Sequence, residues 1–362
     1  MVAKDKSDGA KPPPVGESSP RRRSPLQTFI IGSAVQLGLV TSVLLGSQFL
    51  PISSHGSEEG VSLALDTPPV IETPQPAREF ALVEPRSLGG QLIADPALVE
   101  DSQFGPLPII AADGRAPMSA YARVFDAKDK RPRIAIIVSG LNVSANNTKL
   151  ALARLPAPVT LAFVPFAFDT QASVDLARET GHEVLLQVPM EPFDFPESDP
   201  GSHALMVAAS ADENIRRLNW SLSRFTGYVG ITNLLGARFM SEQAPLDPIL
   251  KEIARRGLIF FDNGASRSSL ALTAARHAGG SFATGTLSLD DVQTKDGVDK
   301  KLVELEAEAK RNRFAIGVGS AFPVSIARIA EWAESAESRG FLLVPISAVA
   351  AKPQSEQTNT KR

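Results

Sequence analysis

The sequence predicts an α/β fold in which about seven parallel strands close, or nearly close, into a β/α barrel. Three observations predict it. From Arg133 onward, short apolar runs alternate with helix-length amphipathic segments for about 220 residues, and such alternation means a parallel sheet covered by helices. The first runs hold no interior polar residue, as strands buried on both faces require. No Gly-x-Gly-x-x-Gly follows the first run, which argues against an open, dinucleotide-binding sheet.

Taken in chain order, residues 1–26 are a short basic segment that ends on Arg21, Arg22 and Arg23. Residues 27–50 follow without a fixed charge, and Thr28–Leu50 is long enough to cross a bilayer as one helix. Positive charge before the span and acidic residues after it (Glu58, Glu59, Asp66) put the N-terminus in the cytoplasm and the remainder outside. The expected location is therefore the inner membrane, single-pass, with a periplasmic domain. A cleaved signal peptide is the competing reading; the long basic region and the lack of a clear Ala-x-Ala site speak against it. Residues 51–130 are rich in Pro, Ser, Gly and acids and read as an extended, mobile linker. Within it, Leu107–Ala112 and Ala120–Phe125 could pack on the domain edge.

Residues 131–351 are the barrel. Its expected strands are Ile134–Val138, Thr160–Val164, Glu183–Gln187, Tyr228–Thr232, Ile259–Phe261, Ala315–Gly319 and Leu342–Pro345. Between them lie helical patterns at Ser173–Thr180, Asp212–Arg224, Pro245–Arg256, Arg267–His277, Val298–Arg311 and Pro323–Arg339. Glycines in "ETGHE", "RRGL" and "SRGF" mark helix exits. His182 and His277 sit at such ends, where a partly charged imidazole suits the dipole. Residues 352–362 read as a disordered tail. The net charge of −3 gives no reason to expect a nucleic-acid partner, and the absence of cysteine excludes disulfides and thiolate chemistry.

In a β/α barrel the chemistry sits on the loops after the strands. Here these include "VSGLNVS", "LLQVPMEPFDFPESDPG", "ITNLLGARF", "FFDNGAS", "LSLDDVQ" and "VGSAFPVS". The ordered set "EVLLQVPMEPFDFPESDPG", "GITNLLGARF" and "RRGLIFFDN" resembles the divergent polysaccharide deacetylase family, over about Arg133 to Ser347. The resemblance implies a distorted β/α barrel that uses a divalent metal, usually zinc, to hydrolyse N-acetyl groups on sugars. It also shows departures. Where the family has an aspartate pair, this chain has Ser139 and Gly140; a histidine place holds Gln187; the asparagine-histidine place is Asn233-Leu234; the late histidine places are Ser320 and Phe322. A catalytic zinc needs about three N or O ligands and an open position. Zinc or another divalent ion is thus expected only if non-standard ligands serve, and no metal ligand is assigned.

The remaining polar groups on these loops are the site candidates. Asp262 and Glu191 are candidate catalytic acids; Gln187, Asn233, Arg238, His203 and Asp290 are candidate substrate-binding residues. For Glu191 the readings are a pocket-floor acid aimed at a sugar hydroxyl or an ion pair, with Arg238 as partner. Arg238 could equally grip a substrate carboxylate in bidentate fashion. Asp262 is either a general acid–base raised in pKa by Phe260 and Phe261 or a turn residue bonding the Asn263–Gly264 backbone. His203 could reach the mouth. Asp290 and Asp291 are adjacent, so at most one faces inward on a strand. Phe163, Phe166, Phe168, Phe193 and Phe195 crowd one rim, where they stack on sugars or simply pack. No Gly-x-Ser-x-Gly elbow is present, which disfavours a serine hydrolase. The function expected is that of a membrane-anchored envelope protein of carbohydrate metabolism. The alternative is a non-catalytic carbohydrate-binding or scaffold module, with an envelope polysaccharide or glycan as partner in either case.

Overall fold

The computed structural model describes residues 95–167 and 169–350. The basic segment, the expected span at 27–50 and the tail at 352–362 lie outside them. Among the described residues no helix is long and apolar enough to cross a membrane.

The barrel strands are β3 (Arg133–Leu141), β4 (Thr160–Phe163), β5 (Val184–Met190), β6 (Gly230–Leu235), β7 (Ile259–Asp262), β8 (Ser281–Thr284), β9 (Leu287–Ser288), β10 (Phe314–Ser320) and β11 (Leu342–Val344). The helices between them are α2 (Ala145–Arg154), α3 (Thr170–Glu179), α4 (Ala211–Leu222), α5 (Gln243–Arg255), α6 (Ala271–Ala278), α7 (Lys295–Asn312) and α8 (Pro323–Glu334). Neighbouring strands run β8-β7-β6-β5-β4-β3-β10-β9, all parallel. β8 and β9 stand at the two ends of this row, yet only Gly285 and Thr286 separate them in sequence. The chain itself therefore bridges the gap, which gives a distorted β/α barrel of parallel strands. β11 pairs with the first residues of β3, whose last residues pair with β4.

Strand alternation sorts the side chains. Ile134, Ile136 and Val138 of β3 face the helices, whereas Ala135 and Ile137 fill the lumen with Ala162, Leu185, Ile259, Phe261 and Ile316. Small alanines leave room for the larger lumenal rings, as filling so narrow a barrel requires. Helix starts agree with local chemistry: the hydroxyls of Ser144, Ser210 and Thr294 accept from backbone N–H groups at the first turns of α2, α4 and α7.

One part of the linker reading is corrected. From Asp95 the chain is folded, with a hairpin of β1 (Val99–Ser102) and β2 (Gly105–Pro108) and a short helix α1 (Pro117–Ala120). These elements close the barrel at the N-terminal ends of its strands. Leu98, Ala111 and Tyr121 join the lumenal cluster from below, with Ile346. The buried Arg256 donates to the Pro108 carbonyl at 2.8 Å and pairs with Glu100 at 3.0 Å. The Arg123 N–H donates to Glu183 at 2.8 Å. The proline-rich composition hides this because many of the anchors are polar contacts to residues more than fifty positions away.

Candidate functional site

At the opposite end, where the strands end, lies a cleft of about 810 Å³. Ser139, Gln187, Asn233, Asn263 and Ser320 reach it from the ends of β3, β5, β6, β7 and β10. Alternation explains three of these directly: Leu185, Ile137 and Phe261 face the lumen, so Gln187, Ser139 and Asn263, two residues on, face it too.

Local backbone sets the rest. The β3–β4 register shifts between Val138 and Leu141, and Gly140 adopts φ 81°. Its N–H thereby leaves the ladder and donates to Gln187 Oε1 at 2.6 Å. Asn233 Nδ2 donates to the Leu235 carbonyl at 2.7 Å, and its Oδ1 accepts from the Asn263 N–H at 3.0 Å. That amide stitches the end of β6 to the end of β7. Asp290 accepts from the Ser320 N–H at 2.6 Å and the Ser325 hydroxyl at 2.7 Å. It thus ties β10 to the first turn of α8. Asp291, by contrast, is exposed on the cleft wall.

The other candidates stand elsewhere. Asp262 is not among the lining residues: Phe261 takes the lumenal position and Phe260 the helix side, so Asp262 turns outward with Phe260. Its Oδ1 accepts from the Gly264 N–H at 2.9 Å, which is the turn arrangement. Burial raises its pKa, against the opposing pull of the Gly264 N–H and the Ser269 hydroxyl. Glu191 also lies off the cleft lining; it pairs with Arg238 at 2.7 Å and accepts from the Val207 N–H at 2.6 Å. The acid clamps two loops, and Arg238 is engaged by it rather than open to a substrate carboxylate. His203 stacks on Trp220 with centroids 3.6 Å apart, away from the lining residues. Arg224 also lies over the Trp220 ring, 4.7 Å from its centroid. Of the expected aromatic rim, Phe163 is buried against Phe225, Phe166, Phe193 and Phe195 are exposed, and Phe168 lies outside the described residues.

The sequence reading missed Asn263, Thr286 and Ser288 as cleft residues. Asn263 was within reach of the alternation argument, since it follows an outward Asp262. Thr286 and Ser288 were not, because they belong to the short closing strand.

The donor set does not fit a catalytic zinc. Gln187 Oε1 is turned onto Gly140, and neither Leu234 nor Phe322 offers a ligand atom. Among the described residues no group of three or more His, Cys, Asp or Glu converges to hold a metal ion.

Residues 136–350 match the family described as divergent polysaccharide deacetylase. The chain belongs to that family. A crystal structure of an uncharacterized protein from Agrobacterium tumefaciens C58 is 40% identical, with a TM-score of 0.66 over 68% of this chain and 99% of that one. The uncharacterized protein YibQ of Escherichia coli (strain K12) is 24% identical over 194 residues, 54% of this chain and 60% of the relative. An uncharacterized Haemophilus influenzae protein is 22% identical over 196 residues, 54% of this chain and 69% of its own length. Within the divergent polysaccharide deacetylase family, then, this chain combines the barrel with a cleft whose polar groups are mainly amides, hydroxyls and carboxylates.

Proposed function

We propose that this divergent polysaccharide deacetylase family member binds an envelope glycan in the cleft above the barrel and holds it without metal-dependent hydrolysis. The observation that carries the reading is the lining itself. Gln187, Asn233, Asn263, Ser139 and Ser320 supply amides and hydroxyls, Asp194 and Asp291 supply acceptors, and Phe193 stands 63% exposed at the edge. Sugars are bound by this mixture, with hydroxyls paired to amides and carboxylates and a ring face laid on an aromatic. Catalysis through a metal-activated water would need donors that these positions lack. The expected anchor at 27–50 would then tether the binding domain on the periplasmic side of the inner membrane.

Titration of the full-length chain with soluble fragments of peptidoglycan and other envelope glycans tests the reading. Saturable binding is expected, with F193A weakening it roughly fivefold through loss of about 1 kcal/mol of stacking. Release of acetate from an N-acetylated fragment, at a rate that rises with added zinc, would overturn the non-hydrolytic reading. Membrane pelleting together with protease access from the periplasmic side tests the tether.

A further inference from the structure

We propose that the cleft recognises a cationic amino sugar, a hexosamine whose nitrogen is a free ammonium rather than an acetamide; this rests on the glycan-binding reading above. Two independent observations point there. The first is charge: Asp194, Asp290 and Asp291 line the cleft, and among the described residues no Lys, Arg or His does. Arg238, which follows the lining Ala237, is committed to Glu191 at 2.7 Å, and Arg267, which follows the lining Ser266, is exposed and not itself among the lining residues. A uronate, a phosphate or a sulfate would enter against carboxylates with no cation to offset them. An ammonium would be drawn in.

The second observation is a donor at the base of the cleft. Gln187 is only 3% exposed and lines the cleft. Its Oε1 accepts from the Gly140 N–H, which fixes the amide plane and leaves Nε2 without a hydrogen-bond partner among the described residues. Nε2 opens onto the cleft, where it can donate to an acceptor on a bound ligand. A sugar hydroxyl or ring oxygen provides one. The three carboxylates are also unequal. Asp290 is committed to the Ser320 N–H and the Ser325 hydroxyl, whereas Asp291 is exposed and the Asp194 carboxylate, also exposed, accepts from the Ser198 hydroxyl at 2.6 Å. Asp194 and Asp291 are therefore the groups free to meet an ammonium, with Gln187 Nε2 gripping an oxygen of the same or the adjoining ring.

The test compares three probes on the full-length chain: glucosamine oligosaccharides, the same oligosaccharides fully N-acetylated, and oligogalacturonate. The glucosamine form is expected to bind best, to weaken with salt, and to weaken as pH rises and its ammonium loses the proton. D194N and D291N, both at exposed positions, are expected each to cost about fivefold in affinity for it and less for the acetylated form, whose nitrogen carries no charge. In 15N spectra the Gln187 side-chain amide resonances are expected to shift on saturation. Equal or tighter binding of the acetylated form would overturn ammonium recognition and leave the glycan-binding cleft standing. Tightest binding of the uronate would overturn the charge argument outright. If no member of the wider glycan panel binds either, the failure belongs to the underlying glycan reading.

Discussion

At the scale of single residues, His182 shows how the packing controls charge. Its ring is buried beneath the barrel wall with Nδ1 2.7 Å from the Val159 carbonyl, and burial lowers its pKa from 6.5 to about 4. The unfolded chain takes up a proton near pH 6.5 while the folded chain refuses it until about pH 4. Stability is thus fully present above 6.5 and is lost as pH falls toward 4, by about 3 kcal/mol if the whole difference is realised. H182Q is expected to flatten the fall in melting temperature between pH 6.5 and 4; an unchanged slope would show that another group carries it. The adjacent Glu183 works in the opposite direction. Burial raises its pKa against the Ser347 hydroxyl and the Arg123 and Ser347 N–H groups, so its contribution is lost as pH rises through the folded value. The fate of Asp262 is also a residue-scale lesson. The run "IFFD" disclosed a strand end, but which face its last residue takes depends on the parity of Phe260 and Phe261. A one-residue shift in that parity exchanges a turn aspartate for a cleft acid.

At the scale of elements, the strands that could be read are those with continuous apolar runs, such as Ile134–Val138 and Thr160–Phe163. Double-sided burial leaves that mark in any sequence. β8 is only Ser-Phe-Ala-Thr and β9 only two residues, too short for either period to register. Helix α2, "ANNTKLALAR", carries two asparagines in its first turn, and it is not among the helical patterns the sequence marks. The closing seam depends on glycine. Gly264 has φ 77°, and a Cβ there would stand 2.5 Å from the Gly285 carbonyl oxygen; a Cβ on Gly285 would stand 2.5 Å from the Asn263 oxygen. Both obstacles are backbone and cannot rotate away. G285A is therefore expected to destabilise the fold by about 3 kcal/mol and to weaken glycan binding, because Asn263 and Thr286 on either side of the seam line the cleft. Chemical denaturation measures the first effect, and wild-type stability in G285A would refute the seam.

At the scale of the whole molecule, the floor built by Asp95–Phe125 makes the folded unit longer than the family match, which begins at residue 136. A chain starting at Arg131 would uncover the lumenal cluster under Leu98 and Tyr121, strand Glu183 without the Arg123 N–H, and leave the buried Arg256 without Glu100 and Pro108. Loss of the two large apolar side chains alone is worth about 4 kcal/mol. Such a chain is expected to melt well below the full-length protein or to aggregate, and a comparison of the two by thermal denaturation decides the point. The composition of this segment suggests a spacer because its stabilising partners lie far along the chain: Arg256 is 148 residues from Pro108.

The placement of β11 has a consequence for biosynthesis. Leu342–Val344 fills the position beside Arg133–Ala135, next to the shorter β4, and β10 covers the other side of the same strand. The first barrel strand to be translated is thus enclosed by the last two. Until Val344 has left the ribosome, β3 retains an open edge and the ring has no complete wall. Closure over some two hundred residues is slow compared with local helix formation, so the nascent chain stays open to chaperones, and to any export machinery that requires an unfolded substrate, until the last barrel strand is made.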